Sequence, residues 1–328
     1  MVIISLSIFY FFFLPLISID QLLKSSKSID IAIIFFALVA VILSLIIAAQ
    51  RWSYLMGEVR AEKSQEFMNA LGIFCLGQVT GLIVPSRIGN YSKIFLIKKM
   101  DKISYETGLS AVNAETILDL GYICCAGVVS FFIMSLFFST NPYLSSILFL
   151  LLLVFLLGII LILLSISHIQ ETRNNLITIS LDAGRSRIVR TVTFYLGKLF
   201  ELIISTKEIF SKKLLTTKLA ILTLFAQLSG VIGLYFVIES LHSTLPLQEV
   251  FAILTISYIV GIVSLVPGGF GTSDLSLIIL LENAGIPLMV STNIAIFWRI
   301  VMYLPIFLII GLYFLQRQFL KRRSDLPS

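Results

Sequence analysis

Two stretches of this sequence carry one pattern at identical spacing: Val84-Pro85-Ser86-Arg87-Ile88-Gly89-Asn90-Tyr91-Ser92 and Val266-Pro267-Gly268-Gly269-Phe270-Gly271-Thr272-Ser273-Asp274. Both read V-P-x-x-[IF]-G-[NT]-x-[SD]. Each interrupts a longer apolar region, the first at 67–98 and the second at 251–284. Proline removes a backbone donor and fixes φ, while glycine admits tight backbone, so Pro85, Gly89 and Pro267 are expected to break helices there.

The surroundings of these breaks belong in lipid. The chain is 58% hydrophobic and 13% charged, with a mean hydropathy of +1.02, whereas soluble domains are about a quarter charged. A helix crossing a bilayer needs roughly 20 apolar residues, and full spans are expected at 2–18, 30–49, 107–138, 142–167, 218–239 and 292–315. The run 2–18 lacks the basic leader and small-residue cleavage site of a signal peptide, so it is expected to be retained. The expected fold is therefore all-α, a polytopic membrane helix bundle in a single domain over residues 1–328.

Soluble-enzyme chemistry finds no footing. Cys75, Cys124 and Cys125 lie in apolar segments without metal-ligand or disulfide spacing, and His168 and His242 are far apart. There is no Walker A loop, nucleophile elbow or H-E-x-x-H helix. No catalytic residue, metal or cofactor is expected. The net charge of +6 fits cytoplasmic loops rather than nucleic-acid binding.

Lys and Arg set the orientation. Residues 168–218 carry nine Lys/Arg against four acids; Arg317, Lys321, Arg322 and Arg323 sit in the tail, and Lys93, Lys98, Lys99 and Lys102 follow the first break. All are expected on the cytoplasmic side of the inner membrane. Ser139–Pro142 and Glu239–Glu249 contain no Lys or Arg and are expected outside. This arithmetic closes if each broken region is a re-entrant hairpin, which leaves six full spans and both termini cytoplasmic. If both hairpins cross fully, there are ten crossings with the termini unchanged. Between the spans, near 186–210, Ile188, Val192, Tyr195, Leu199 and Ile203 share one helical face opposite Arg187, Arg190 and Lys198. That pattern describes an interfacial amphipathic helix.

The order span, hairpin, span occurs twice with opposite sense, over 30–138 and 218–315, joined by 139–217. Such an inverted repeat is the plan of many secondary transporters, whose broken helices meet near the midplane around the substrate.

Ionisable groups at membrane depth are costly and face the interior. Glu115 and Asp119 share one helical face, as do Arg299 and Tyr303. An interior pair of Arg299 with Glu115 or Asp119 is expected, either as a structural bridge or as one that opens to let Arg299 take a phosphate. Arg87 and Asp274 lie at the breaks, where helix N-termini favour anions. Gly268, Gly269 and Gly271 either form an anion-binding nest or permit a tight turn. Asn90, Tyr91 and Gln78 add hydrogen-bonding groups.

Pro85-Ser86-Arg87-Ile88-Gly89 with Tyr91, then Glu115-Thr116-Ile117-Leu118-Asp119, Pro267-Gly268-Gly269-Phe270-Gly271 and the run from Arg299 to Pro305 together resemble the lysylphosphatidylglycerol synthase/flippase transmembrane family. The likeness extends over most of residues 30–316. It departs at Asn90 and Asp274, where the family commonly has Glu, and at Thr116, where it commonly has Arg. No stretch corresponds to the soluble aminoacyl-transferase domain of some relatives, so synthesis of the lipid is not expected.

The resemblance implies a flippase-like transporter. It would move a polar lipid (anionic, aminoacylated or polyprenyl-linked) across the cytoplasmic membrane. Its partners would be membrane lipids with a phosphate headgroup, with a membrane or glycosyltransferase partner open. The alternatives are a membrane-embedded transferase and an accessory subunit in lipid-linked glycan or phospholipid modification.

Overall fold

The computed structural model describes residues 29–60, 67–83, 86–101, 105–137, 153 and 209–324. The expected spans 2–18 and 142–167, nearly all of the amphipathic segment near 186–210, Pro85 and the side chain of Arg87 lie outside what is described. All secondary structure among the described residues is helical. Four helices are long and apolar enough to cross a membrane: α1 (Ile31–Arg60), α4 (Tyr105–Phe137), α5 (Lys213–Ser240) and α8 (Leu288–Ser324). Three of them, α1, α5 and α8, run further than the apolar count indicates, and α4 begins two residues earlier and ends one earlier than expected. α1 is the clearest case, extending from the expected 30–49 to Arg60 with Trp52, Leu55 and Met56 fully buried.

Between the long helices lie two broken elements. The first is α2 (Phe67–Ile83), a 3-10 turn (Ser86–Tyr91) and α3 (Ser92–Asp101). The second is α6 (Leu247–Val263), a 3-10 turn (Pro267–Gly269) and α7 (Thr272–Asn283). The motifs thus break the chain where proline and glycine foretold. In the second turn Gly268, Gly269 and Gly271 have φ of 61°, 64° and 81°, the left-handed region that glycine enters without steric penalty.

The two broken elements close on themselves in the same manner. Thr80 Oγ1 lies within donating distance of the carbonyls of Gly77 and Gly89, at 2.9 and 2.8 Å, and pairs with Ser92 Oγ at 2.6 Å. Ser264 Oγ donates to the carbonyl of Gly261 and pairs with Thr272 Oγ1 at 2.8 Å. A hydroxyl at the end of each first limb is therefore tied to one at the start of the second.

α1 and α5 run antiparallel along their length. Ser240 O accepts from Asp30 N at one end, Ser44 Oγ donates to Ala226 O at 2.7 Å in the middle, and Lys212 bridges Glu58 at the other end. α2 packs on α8, where a Cβ at Gly72 would lie 2.4 Å from the Tyr313 ring. α6 packs on α4, and each second limb lies against the long helix that follows it, α3 on α4 and α7 on α8.

Polarity is inverted relative to a water-soluble protein. Leu308 and Leu312 on α8 are about 60% exposed, while Arg51, Lys93, Glu115 and Asp274 are buried. An apolar outside with a charged inside is what the hydrocarbon of a bilayer selects.

Candidate functional site

Both broken elements and the long helices wall a cavity of about 340 Å³. Gly81, Leu82 and Asn90 come from the first broken element; Gly268, Gly269, Ser273 and Asp274 come from the second. Arg51 of α1, Asp119 of α4, Gln227 of α5, and Trp298, Arg299 and Tyr303 of α8 complete its polar and aromatic wall. Two sets of ionised side chains meet there.

The first set centres on Arg51. Its Nη1 donates to Asp119 Oδ1 at 2.5 Å and to Thr223 Oγ1 at 2.8 Å, and its Nη2 donates to Glu115 Oε1 at 3.1 Å. Behind them Lys93 Nζ donates to Glu115 Oε2 at 2.7 Å. The Lys93 ammonium also lies 4.9 Å from the Trp52 ring and 4.6 Å from that of Phe74, whose quadrupoles favour a cation. Gly77 leaves the room for it, since a Cβ there would lie 2.3 Å from Lys93 Cε. Two cations and Glu115 are thus buried, with the partly buried Asp119, in a chain running inward from the cavity wall.

The second set centres on Arg299. Nε and Nη2 reach Asp274 Oδ1 and Oδ2 at 2.6 and 3.0 Å. Nη1 donates to Gly268 O at 3.1 Å and to Tyr303 Oη at 2.8 Å, and Nη2 also donates to Ser273 Oγ at 2.7 Å. The guanidinium lies 4.8 Å from the Phe270 ring. Asp274 Oδ2 in turn accepts from Gly271 N at 3.0 Å and caps the start of α7. A guanidinium has five N–H bonds, and here each has an acceptor.

Three expectations change. Arg299 pairs with Asp274 rather than with Glu115 or Asp119, because the second limb of its own broken element lies against α8. Lys93, expected at the cytoplasmic surface, is fully buried, because α3 turns that side toward α4 and Glu115. Three amides of the glycine turn are engaged rather than presented as a nest. Its N–H groups at 269, 270 and 271 are committed to Val266 O, Pro267 O and Asp274, and the carbonyls of Gly268 and Gly269 face Arg299.

The remaining candidates fall at varied distances from the cavity. Asn90, Asp119, Gly268, Gly269, Asp274, Arg299 and Tyr303 line it. Glu115 stands one layer behind, and Tyr91 donates to Asn113 Oδ1 at 2.8 Å. Gly89 is a packing residue, because a Cβ there would lie 2.4 Å from Gly81 Cα. Arg51, Gln227 and Trp298 were not foreseen as site residues. One signal for Arg51 was present: Trp52, Leu55 and Met56 continue the apolar side of α1 beyond residue 49.

Comparison with known proteins gives the family. No curated protein matches the chain. The profile described as Lysylphosphatidylglycerol synthase TM region matches residues 1–310, so this multi-pass membrane protein belongs to that family.

Proposed function

We propose that the chain is a flippase-like transporter that carries a phosphate-bearing lipid headgroup across the cytoplasmic membrane without making or breaking a covalent bond. One observation carries the reading: a single cavity, in a helix bundle with an apolar exterior, is walled by both broken elements and by two guanidinium–carboxylate pairs. Its volume of about 340 Å³ suits a small polar ligand, at the lower end of the ~300–1,000 Å³ typical of binding pockets. A headgroup enters it while the acyl chains remain in lipid. The family's description, which concerns a membrane lipid, points the same way.

Re-entrant broken elements and an inverted repeat belong to this proposal. Limbs of 17, 10, 17 and 12 residues reach ~25, ~15, ~25 and ~18 Å at 1.5 Å per residue, short of the ~30 Å hydrocarbon core. The paired hydroxyls of the two breaks, the antiparallel α1 and α5, and the exchange of α2 onto α8 and α6 onto α4 support a pseudo-twofold relation between 30–138 and 218–315. In this topology six helices cross fully, both termini are cytoplasmic, and the breaks meet near the midplane.

Reconstitution tests the reading. Purified protein in liposomes should accelerate transbilayer movement of labelled anionic or polyprenyl-phosphate lipids, and Asp274→Ala should abolish the acceleration while the protein still inserts. Equal rates in protein-containing and empty vesicles across that lipid panel would count against transport.

A further inference from the structure

Three carboxamide side chains line the cavity without a hydrogen-bond partner among the described residues: Gln78 of α2, Asn90 of the first 3-10 turn and Gln227 of α5. All three are partly buried. Gln227 stands midway along α5, a membrane-spanning length of helix. A polar group at that depth is costly without a hydrogen bond, so each of these needs water or a ligand to complete it.

Other polar side chains of the wall are bonded within the protein. Ser44 Oγ donates to Ala226 O at 2.7 Å and Ser257 Oγ to Ile253 O at 2.8 Å. Ser273 Oγ donates to Gly269 O and accepts from Arg299. Arg51 and Arg299 are each bonded to carboxylates.

A carboxamide has two N–H donors, a carbonyl acceptor and no charge. A phosphate oxygen uses only the donors and repels the carbonyl, and an ammonium uses only the acceptor. A hydroxyl both donates and accepts, so a ring of hydroxyls engages both ends of each carboxamide. Because the carboxamides are neutral, this selection does not depend on the charge of any other group on the wall. Trp298 adds a flat apolar face. Its ring is held against α5, where a Cβ at Gly233 would lie 3.3 Å from Cζ3, and the C–H side of a saturated ring can lie on such a surface.

We propose that the cavity selects a lipid headgroup carrying a hydroxylated ring, a sugar or a cyclitol, beyond its phosphate, with Gln78, Asn90 and Gln227 reading the hydroxyls. This deepens the transport reading and rests on it. A cavity of about 340 Å³ suits one such ring. A site built to bond hydroxyls rejects an analogue without them, because its own polar groups are then left unpaired.

The test is a binding measurement on the full chain in a detergent without hydroxyls. It reads the emission of the chain's two tryptophans, one of them Trp298 on the cavity wall. Short-chain phosphatidylinositol and phosphatidylglucose are titrated beside phosphatidylmethanol, which has the same chains, phosphate and charge but no ring. Free inositol phosphate supplies the ring without the lipid. Wild type is expected to bind at least one ring-bearing lipid roughly tenfold more tightly than phosphatidylmethanol, and more tightly than inositol phosphate.

Gln78→Met, Asn90→Leu and Gln227→Met should each lose part of this preference, and the triple variant all of it. None removes a hydrogen bond of the folded chain, so the unfolding midpoint should not fall. A lowered midpoint in all three single variants would make the carboxamides structural and overturn the assignment. A wild type that binds all three lipids equally, or a preference that survives in the triple variant, also overturns it. Transport in liposomes stands or falls separately, since lipid movement with no ring preference leaves that reading intact. Ring preference without lipid movement overturns transport and leaves the assignment to the carboxamides. Inositol phosphate binding as tightly as its lipid makes the site one for a free ring phosphate and overturns the lipid source.

Discussion

Asp274 and Arg299 face each other in a two-point bridge, with Nε–Oδ1 at 2.6 Å and Nη2–Oδ2 at 3.0 Å, across the turn that breaks the second element. The same carboxylate caps Gly271 N, so one residue fixes the start of α7 and anchors it to α8. Asp274→Ala leaves a mostly buried guanidinium without its counter-ion and the cap unfilled. A loss of about 3–5 kcal/mol is expected for such a broken pair, read as a lower midpoint of thermal unfolding in detergent. Asp274→Asn should fall between Ala and wild type, because its amide oxygen can still accept from one donor.

The buried chain Lys93–Glu115–Arg51 gives an asymmetric pair of variants. Lys93→Met leaves Glu115 with Arg51, whereas Glu115→Gln leaves the Lys93 ammonium with ring faces but no acid. Glu115→Gln is therefore expected to be the more destabilising, and the double variant should recover part of the loss. The coupling between them is expected at roughly 1–3 kcal/mol, measured by a double-mutant cycle on unfolding midpoints. Additive effects would mean that the pair is not energetically linked.

Two glycines of the first broken element separate packing from exposure. A Cβ at Gly89 meets the Gly81 backbone at 2.4 Å, while a Cβ at Gly81 meets nothing within 4 Å. Gly89→Ala must push the limbs apart and should cost about 1–3 kcal/mol. Gly81→Ala should leave the unfolding midpoint nearly unchanged, and equal behaviour of the two would contradict the close approach.

The hydroxyl ties Thr80–Ser92 and Ser264–Thr272 should behave alike if the two breaks are built alike. Thr80→Val and Ser264→Ala each remove the tie and the hydroxyl's bonding to nearby carbonyls, Gly77 and Gly89 for Thr80 and Gly261 for Ser264, at an expected cost of about 1 kcal/mol each. Transport assays would show whether loosening either break alone slows lipid movement. A large effect at one break and none at the other would argue against the repeat.

The places where the chain breaks were legible because their causes are local. Proline lacks an N–H and glycine tolerates φ near +60°, so Pro267 to Gly271 specify a turn whatever surrounds them. The apolar runs marked the four long helices for a similar reason, since each residue meets lipid or core on its own account. The shared faces of Glu115 with Asp119 and of Arg299 with Tyr303 followed from helical period alone.

Partnership was decided elsewhere. Arg299 could have met any interior acid, and the lie of α7 against α8 gave it Asp274. Lys93 read as a surface charge until α3 turned it onto Glu115 beneath two aromatic rings, and Arg51 fell just past the expected end of a span at 49 until α1 carried it inward beside Asp119. Sequence determined which of the described segments are long and apolar enough to cross a membrane and where the helices break, because those depend on single residues and their neighbours. Which buried charges meet depended on the tertiary structure, because each ion pair joins side chains from separate helices and exists only once those helices are packed.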